Sequence, residues 1–222
     1  MRPHEPFVWG EAMAGPRAHP VFATLYDALT GPVERRLARD LRRQLLRGCE
    51  GHLLDLGAGT GANLPVLREV RDAGTWLEID AVEPDPFMLR RARRRAAELG
   101  LDARFHQAPA EALPFADGTF DVVVSTLVLC TVGDLGRSLG EISRVLRPGG
   151  TFRFLEHVRE GGAAGRWQDR LRPLWAAVAG GCQLNRRTGE AIRQAGFLDV
   201  RWDTRPAPFP VARLLIGSAR RA

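Results

Sequence analysis

The chain has 222 residues, which suits one sizeable α/β domain and is short for two domains that each bury a core. Its 32 basic residues are all arginine and give a formal charge of +6, but arginine-only usage with abundant Ala, Gly and Pro is typical of a GC-rich genome, so the charge is weak evidence for an anionic partner. No segment approaches the roughly 20 apolar residues of a membrane-spanning helix, and residues 1–20 lack a signal-peptide core. These features predict a cytoplasmic protein without stable membrane insertion, either a monomer or a homodimer.

The N-terminal segment divides into an arm and a pair of helices. Residues 1–20 contain several Pro and Gly residues without apolar periodicity, which predicts a flexible arm. Apolar residues then recur at helical spacing over 21–29 and 33–46, on either side of Gly31-Pro32. We expect residues 21–48 to form two helices that fold over a ligand as a lid; helices that only pack against the domain are the alternative, since they would show the same pattern.

From Gly51 onward, short apolar runs alternate with helical segments, the pattern of repeated β-α units in a mainly parallel sheet. The predicted strands are 52–57, 76–83, 103–107, 120–126 and 150–156. The predicted helices between them are 62–72, 86–99 and 134–146. We expect Pro148-Gly149-Gly150 to end the last of these helices and to form a turn.

The last quarter of the chain predicts two more helices and a pair of strands. Helix 165–178 carries two Trp and several Leu residues, and a second helix is expected near 186–195. Core packing is the ordinary explanation for such an apolar stripe, while a roof over an acceptor pocket or peripheral lipid contact stays open. Two β-like runs, 197–203 and 211–219, are expected to form an antiparallel hairpin that completes a seven-stranded sheet within a single domain, 21–222.

The strongest functional signal is a glycine loop after an apolar strand, Leu53-Leu54-Asp55-Leu56-Gly57-Ala58-Gly59-Thr60-Gly61. Glycines allow the tight strand-to-helix turn and the close approach of a ligand to the main chain. The spacing Gly57-x-Gly59-x-x-Ala62 also fits the fingerprint of a nicotinamide dinucleotide site. Asp55 argues against that alternative, because its carboxylate suits a cationic amino group and would repel a pyrophosphate.

A second carboxylate, Glu83, ends the following strand about twenty residues beyond the loop. A carboxylate at this point can accept hydrogen bonds from both hydroxyls of a ribose, which every adenosyl cofactor carries. The alternative role, capping the helix that begins at Pro86, is better met by Asp85. Glu83 therefore supports a nucleoside ligand without identifying it.

Three cysteines, Cys49, Cys130 and Cys182, lie far apart, without the paired spacing of a zinc site or a redox couple. We therefore expect reduced, mostly buried thiols, no metal site and no catalytic cysteine.

The glycine loop and four later motifs, in this order, resemble the class I S-adenosylmethionine-dependent methyltransferases of the type 11 domain. These motifs are Glu83-Pro84, Ala110-Glu111-Ala112-Leu113-Pro114-Phe115, Phe120-Asp121-Val122-Val123 and Arg144-Val145-Leu146-Arg147-Pro148-Gly149-Gly150. The resemblance covers about residues 50–158. It implies an α/β, Rossmann-like sheet of order 3-2-1-4-5-7-6 with strand 7 antiparallel and helices on both faces.

The resemblance also implies S-adenosyl-L-methionine as the cofactor and assigns its binding residues. Those expected to hold the methionine end, the ribose and the adenine are Asp55, Gly57, Ala58, Gly59, Gly61, Asn63, Glu83, Pro84, Ala110, Glu111 and Thr126. One departure concerns Pro109, because many relatives carry an acidic residue there that accepts from the adenine amino group. Glu111, Gln107 or main-chain carbonyls would have to serve instead.

The acceptor side is expected at the ends of the fourth and fifth strands. His157, in Leu155-Glu156-His157-Val158, is the best single candidate for a general base, because an unperturbed imidazole titrates near neutral pH. A purely packing histidine is the alternative, and methyl transfer from a sulfonium needs a base only when the nucleophile arrives protonated. The fourth strand ends without the Asn-Pro-Pro-Tyr or Asp-Pro-Pro-Tyr run of base-methylating enzymes, so we expect no nucleic-acid partner.

The acceptor-side segments resemble a narrower subgroup that includes membrane-associated S-methyltransferases of small alkyl thiols. The segments are Ser125 to Val132, Leu155 to Val158 and Gly180 to Arg186. This sequence departs from the subgroup in Gln183-Leu184-Asn185-Arg186 and in lacking an apolar anchor. We therefore predict a methyltransferase acting on a small molecule, in particular a thiol. The alternatives are a hydroxyl or amine acceptor, a phospholipid amine, and a non-catalytic cofactor-binding module.

Overall fold

The computed structural model of the chain describes residues 32–208 and 210–222. The predicted arm, 1–20, and the first predicted helix, 21–29, lie outside the described residues. The second predicted helix is present as α1, Pro32–Leu46.

The described residues form alternating strands and helices, as the sequence pattern predicts. The strands are β1 Gly51–Leu56, β2 Leu77–Val82, β3 Arg104–His106, β4 Phe120–Thr126, β5 Leu146–His157, β6 Leu198–Pro206 and β7 Arg213–Arg220. The helices that follow α1 are α2 Leu64–Asp72, α3 Pro86–Glu98, α4 Leu135–Val145, α5 Gly162–Val178 and α6 Thr188–Gln194. Within these ranges, no helix combines the length and apolar character that crossing a bilayer requires.

The strands join in one seven-stranded sheet of order β3-β2-β1-β4-β5-β7-β6. The first five strands run parallel, and β7 is antiparallel to both β5 and β6. This order and the direction of β7 confirm the predicted fold. The chain reverses its direction of winding between β1 and β4, which leaves a crevice at the carboxyl ends of these strands.

Element boundaries differ from the prediction by up to four residues, and two of the larger differences are the starts of β5 and α5. β5 begins at Leu146 rather than at residue 150, because Leu146 pairs with Phe120 and the register then shifts before Val122. The predicted Pro-Gly-Gly turn is therefore an irregularity within the strand, with Gly149 at a φ of 75°. Helix α5 begins at Gly162 instead of residue 165, with Gly161 in an extended conformation at its N-cap.

The central strands are buried on both faces. Leu53 packs in one apolar cluster and Leu54 in the other, on opposite sides of the sheet, and both are fully buried. Val122 and Val123 of the neighbouring strand divide in the same way. Because helices cover both faces, polar ligands can reach the sheet only at the ends of its strands.

Candidate active site

The glycine loop leads from β1 into α2 and exposes its main chain at one point. Gly57, Gly59 and Gly61 have φ values of 63°, 56° and 84°, in the left-handed region that favours glycine. A Cβ atom on Gly57 would lie 2.5 Å from a methyl group of Val128, so the loop packs tightly against the turn after β4. A Cβ atom on Gly59 would meet nothing within 4 Å. The bare main chain at Gly59 therefore faces open space.

Asp55 lies just before this loop, and its two carboxylate oxygens differ in their hydrogen bonding. The residue is 1% exposed, and its Oδ1 atom accepts a hydrogen bond of 2.7 Å from Asn63. Its Oδ2 atom is buried and has no hydrogen-bond partner among the described residues. Burial raises the pKa of Asp55 to about 6, although the bond from Asn63 acts in the opposite direction. A buried acceptor in this condition calls for a donor, preferably a cationic one.

Asn63 also connects the loop to β4. Its amide nitrogen lies 3.1 Å from the hydroxyl oxygen of Thr126, at the end of that strand. The two predicted residues Asn63 and Thr126 are thus brought together with Asp55. The three side chains form one polar group at the carboxyl ends of β1 and β4.

Glu83 stands at the end of β2, on the other side of the loop. One carboxylate oxygen accepts 2.9 Å from the amide of Gly59, and the other accepts 3.0 Å from the amide of Asp85. Burial raises the pKa of Glu83. A carboxylate offers about four lone-pair sites, so both oxygens keep capacity for hydroxyl donors. As predicted, the cap of α3 is Asp85, whose side chain accepts from the amides of Phe87 and Met88.

The predicted adenine-side residues lie beyond β3. Ala110 is buried. The side-chain amide of Gln107 donates a hydrogen bond of 3.2 Å back to the main-chain carbonyl of Pro84, which follows β2. Glu111 accepts 2.7 Å from the amide of Gly133 and 3.2 Å from that of Asp134. Glu111 therefore anchors the loop that begins α4, a role that the sequence did not predict.

The acceptor side begins with a buried carboxylate that shapes the turn after β4. Glu156 accepts a hydrogen bond of 2.6 Å from the hydroxyl of Ser125. It also accepts hydrogen bonds of 3.1 and 3.2 Å from the backbone amides of Val128 and Leu129. Leu127, at the start of this turn, has a φ of 60°, which is strained for a residue with a side chain. Burial raises the pKa of Glu156. The carboxylate thus holds a strained turn against the end of β5.

His157 meets two cysteines at this edge of the sheet. Its Nε2 atom lies 2.7 Å from the Sγ atom of Cys182, while its Nδ1 atom is buried without a hydrogen-bond partner among the described residues. Cys182 also accepts 3.3 Å from the indole of Trp175, and its other neighbour is the thiol of Cys130. The hydrogen bond between the thiols raises the pKa of Cys130, and together with His157 it lowers the pKa of Cys182 despite burial.

Sequence reasoning found His157 but missed this convergence. Cys130 follows β4, His157 ends β5 and Cys182 follows α5, so no short motif contains more than one of them. All three cysteines are free and buried, as predicted. The only signal available was topological, because the carboxyl ends of adjacent parallel strands meet at one edge.

The fold and these groups define a class of protein. A bare main chain after β1, a buried carboxylate oxygen that lacks a donor and a second carboxylate at the end of β2 fit a nucleoside with a cationic amino group and no phosphates. S-adenosylmethionine is such a molecule, and when bound it supplies an electrophilic methyl carbon and its leaving group. The class is that of the α/β methyltransferases.

Comparison with known proteins gives the same class and a narrower family. Residues 54–154 match the family described as methyltransferase domain. Thiol S-methyltransferase TMT1B of Homo sapiens is 36% identical over 214 residues, which cover 89% of this chain and 85% of that protein. Thiol S-methyltransferase TMT1A of Homo sapiens is 33% identical over 195 residues, with 84% and 76% coverage. This chain belongs to the S-adenosylmethionine-dependent methyltransferases, in the subgroup of the thiol S-methyltransferases.

Solved structures agree on the fold. The cyclase SpnF superposes with a TM-score of 0.71 at 20% identity, covering 95% of this chain and 97% of that one. A possible histamine N-methyltransferase from Thermotoga maritima gives 0.67 at 21% identity, with 91% and 98% coverage. The enzyme class, the cofactor S-adenosylmethionine and a small-molecule acceptor, all predicted from the sequence, are confirmed.

Proposed function

We propose that the enzyme transfers the methyl group to the sulfur of a small thiol. The observation that carries this proposal is the family relationship, since the human relatives that match 89% and 84% of the chain are named thiol S-methyltransferases. The chemistry of the acceptor side supports it. A thiol has a pKa near 8.5 and needs only modest help to ionise at neutral pH, whereas an alcohol needs a much stronger base.

We infer that the cofactor lies along the carboxyl ends of β1, β2 and β4. In this arrangement the free oxygen of Asp55 accepts from the amino group of the methionine moiety, and Asn63 and Thr126 hold that carboxylate in place. The main chain of Gly57, Ala58, Gly59 and Gly61 lines the sulfonium side. Glu83 and Pro84 contact the ribose, and Ala110 and Glu111 border the adenine.

We assign His157 the catalytic role on the acceptor side, where removal of the thiol proton depends on it. Its support is position, because the imidazole lies at the end of β5, next to the turn that packs on the glycine loop. Replacing His157 with alanine or glutamine should lower kcat for a thiol on the order of 10²-fold or more. The thermal shift caused by S-adenosylhomocysteine should persist in both variants and so show that each has folded.

A panel of matched acceptors tests the proposed function. The purified enzyme is incubated with cofactor and an alkyl thiol, or with the alcohol and amine of the same carbon skeleton, and release of S-adenosylhomocysteine is measured. We expect the thiol to exceed the others by about a hundredfold in kcat/KM, which corresponds to about 3 kcal/mol of transition-state discrimination. Equal or faster turnover of the alcohol or amine would refute the proposal.

A phospholipid amine is the second candidate acceptor, and one observation favours it. Trp167 and Leu174, two turns apart on α5, are 52% and 67% exposed, as apolar side chains that contact lipid would be. Vesicles that contain phosphatidylethanolamine belong in the same panel, and methylation of their headgroups would favour this candidate. Binding of cofactor without turnover of any acceptor would instead favour a non-catalytic module.

Cysteine usage supports a cytoplasmic location for the enzyme. Cys49, Cys130 and Cys182 are all free thiols, which is typical of a reducing compartment. Fractionation of the source cells followed by immunodetection would test this assignment.

A further inference from the structure

Three soft ligand atoms converge at one buried point on the acceptor side. The Sγ atoms of Cys130 and Cys182 and a ring nitrogen of His157 all lie within 4.8 Å of one another. The three residues are only 2%, 8% and 2% exposed, respectively. They come from three separate parts of the chain, so their meeting is a product of the fold.

The three side chains contact one another, but their hydrogen bonding is incomplete. The Cys130 thiol makes a contact of 3.5 Å with the carbonyl of Leu127, and the His157 Nδ1 atom is buried without a hydrogen-bond partner among the described residues. Buried polar groups usually find partners, and two thiols beside an imidazole are the donor set that zinc takes in proteins. Bonds of about 2.3 Å to sulfur and 2.0 Å to nitrogen place tetrahedral ligands roughly 3.5 Å apart, which the cluster spacing allows.

The backbone around the cluster is fixed by bonds that do not involve the three donors. The amide of Gln183 donates 2.8 Å to the carbonyl of Cys130, which ties the loop after α5 to the turn after β4. The guanidinium of Arg186 donates 2.6 Å to the carbonyl of Leu129. These bonds hold Cys182 next to Cys130 and His157, as a preformed metal site requires.

We propose that Cys130, His157 and Cys182 bind one zinc-class divalent ion through Sγ, Nε2 and Sγ, and that the fourth position receives the sulfur of the acceptor. Three protein ligands with one open position are the arrangement of catalytic rather than structural zinc sites. The metal binding stands on the cluster alone, while its catalytic use rests on the proposed thiol acceptor. His157 then acts as a metal ligand and does not take the proton itself.

The reaction balances without a further reagent. The acceptor thiol binds the ion as a thiolate and releases its proton to solvent, because coordination deprotonates a thiol outright. A sulfur electron pair attacks the methyl carbon, and the electrons of the broken carbon–sulfonium bond remain on the sulfur of S-adenosylhomocysteine. The thioether product carries no charge, binds the ion weakly and leaves. Arg186, which interacts electrostatically with both cysteines, offsets the negative charge of three thiolates on a divalent ion.

Metal content and the spectrum of a cobalt derivative test the inference. The full chain is produced in zinc-supplemented medium, dialysed, and analysed for zinc by mass spectrometry; cobalt(II) then replaces the ion. We expect about one ion per chain, a thiolate-to-cobalt charge-transfer band in the near ultraviolet, and growth of that band when an alkyl thiol is added. Cys130→Ser and Cys182→Ser should each lose the ion and the band, and the matched control Cys49→Ser should keep both.

Three outcomes would overturn the inference: a wild type that stays metal-free after incubation with micromolar zinc, cobalt spectra that both serine variants leave unchanged, or a native Cys130–Cys182 disulfide without metal. If a serine variant fails to fold, removal of the ion from the wild type with a chelator, followed by its return, gives the same readout. The thermal shift with S-adenosylhomocysteine and the acceptor panel are measured in parallel. A metal-free enzyme that still methylates thiols would refute the metal site and leave the proposed function standing.

Discussion

Two buried aspartates on neighbouring strands of the sheet have opposite surroundings. Asp55 of β1 and Asp80 of β2 lie one register step apart and are 1% and 3% exposed. Asp80 is saturated by His52 at 2.5 Å, by His106 at 2.6 Å and by Arg104 at 2.8 Å. Burial alone would raise the pKa of Asp80, but these hydrogen bonds outweigh it and lower the pKa to about 2.

Asp55 accepts a hydrogen bond from the neutral amide of Asn63, and no cation bonds to it within residues 32–208 and 210–222. Burial raises its pKa to about 6, although the Asn63 bond and the charge of Arg42 act in the opposite direction. The difference teaches that burial of a carboxylate does not by itself indicate function. A carboxylate whose partners are all supplied by the protein stabilises the fold, and one that retains an unused oxygen beside a bare loop is available to a ligand.

The largest expected effect is on cofactor affinity, which should depend on Asp55 and not on Asp80. Asp55→Asn keeps the shape of the side chain and the contact with Asn63, but removes the charge that faces the cofactor amino group. We expect the affinity for S-adenosylhomocysteine to fall about a hundredfold, or about 3 kcal/mol, in isothermal titration. The Tm of the unliganded variant should equal or exceed that of the wild type, because a buried charge is removed. Asp102→Asn, at an exposed position, serves as the control and should change neither quantity.

The dependence of stability on pH should have opposite signs for the two aspartates. The folded pKa of Asp55 is raised, so its contribution is present below about pH 4 and is lost, by up to about 3 kcal/mol, as the pH rises through 6. The folded pKa of Asp80 is lowered, so its contribution is present above about pH 4 and is lost as the pH falls through 2. Unfolding free energies of each Asn variant against the wild type measure both curves. Parallel curves would contradict the comparison.

Asp80→Asn should produce the converse of the Asp55 substitution. Loss of its charge leaves Arg104 and two histidines without their anion, and we expect the free energy of unfolding at neutral pH to fall by about 2 kcal/mol. The affinity of the folded variant for S-adenosylhomocysteine should stay within about twofold of the wild type. Urea denaturation and titration calorimetry give the two values, and a large loss of affinity would place Asp80 in the binding site instead.

Two glycine substitutions in the loop are expected to have the smallest effects on stability and on cofactor affinity, and they test where the cofactor lies. Gly57→Ala would drive a Cβ atom to 2.5 Å from Val128, and we expect a loss of about 2 kcal/mol in unfolding free energy. Gly59→Ala meets open space, so only the left-handed φ costs energy, about 1 kcal/mol. Gly59→Ala should nevertheless weaken cofactor binding several-fold. Unchanged cofactor affinity in Gly59→Ala would place the ligand elsewhere.

Much of the fold could be predicted from the sequence because its signals are local. Apolar runs and helical spacing identify the β-α units, and the order of the sheet followed from the resemblance to a known family. The start of β5 at Leu146 was missed, because Pro148 and Gly149 are turn residues by local chemistry and only pairing with Phe120 makes this segment part of the strand. The start of α5 was missed because glycines at 161 and 162 indicate a break.

The candidate site also contains residues with local sequence signals and residues that only the fold brings together. Asp55, the glycines and Glu83 belong to short motifs with a direct chemical meaning, and the structure brings them together. The cluster of Cys130, His157 and Cys182 could not be predicted from spacing, because strand order and the loop after α5 create it. The expectation of no metal site was drawn from spacing alone, and our inference of a zinc-class ion replaces it with a proposal that rests on geometry.

The central claim is that the crevice next to Asp55 and Glu83 holds the methyl donor, and that the sulfur of the acceptor binds beside it. The most direct test follows a deuterated methyl group from labelled S-adenosylmethionine into the products of a single turnover with an alkyl thiol, by mass spectrometry. The account predicts a labelled thioether and S-adenosylhomocysteine in equal amounts, and roughly a hundredfold less of each with Asp55→Asn at the same limiting cofactor concentration. Label on oxygen or nitrogen, or cofactor that stays bound and unreacted with every acceptor, would contradict it.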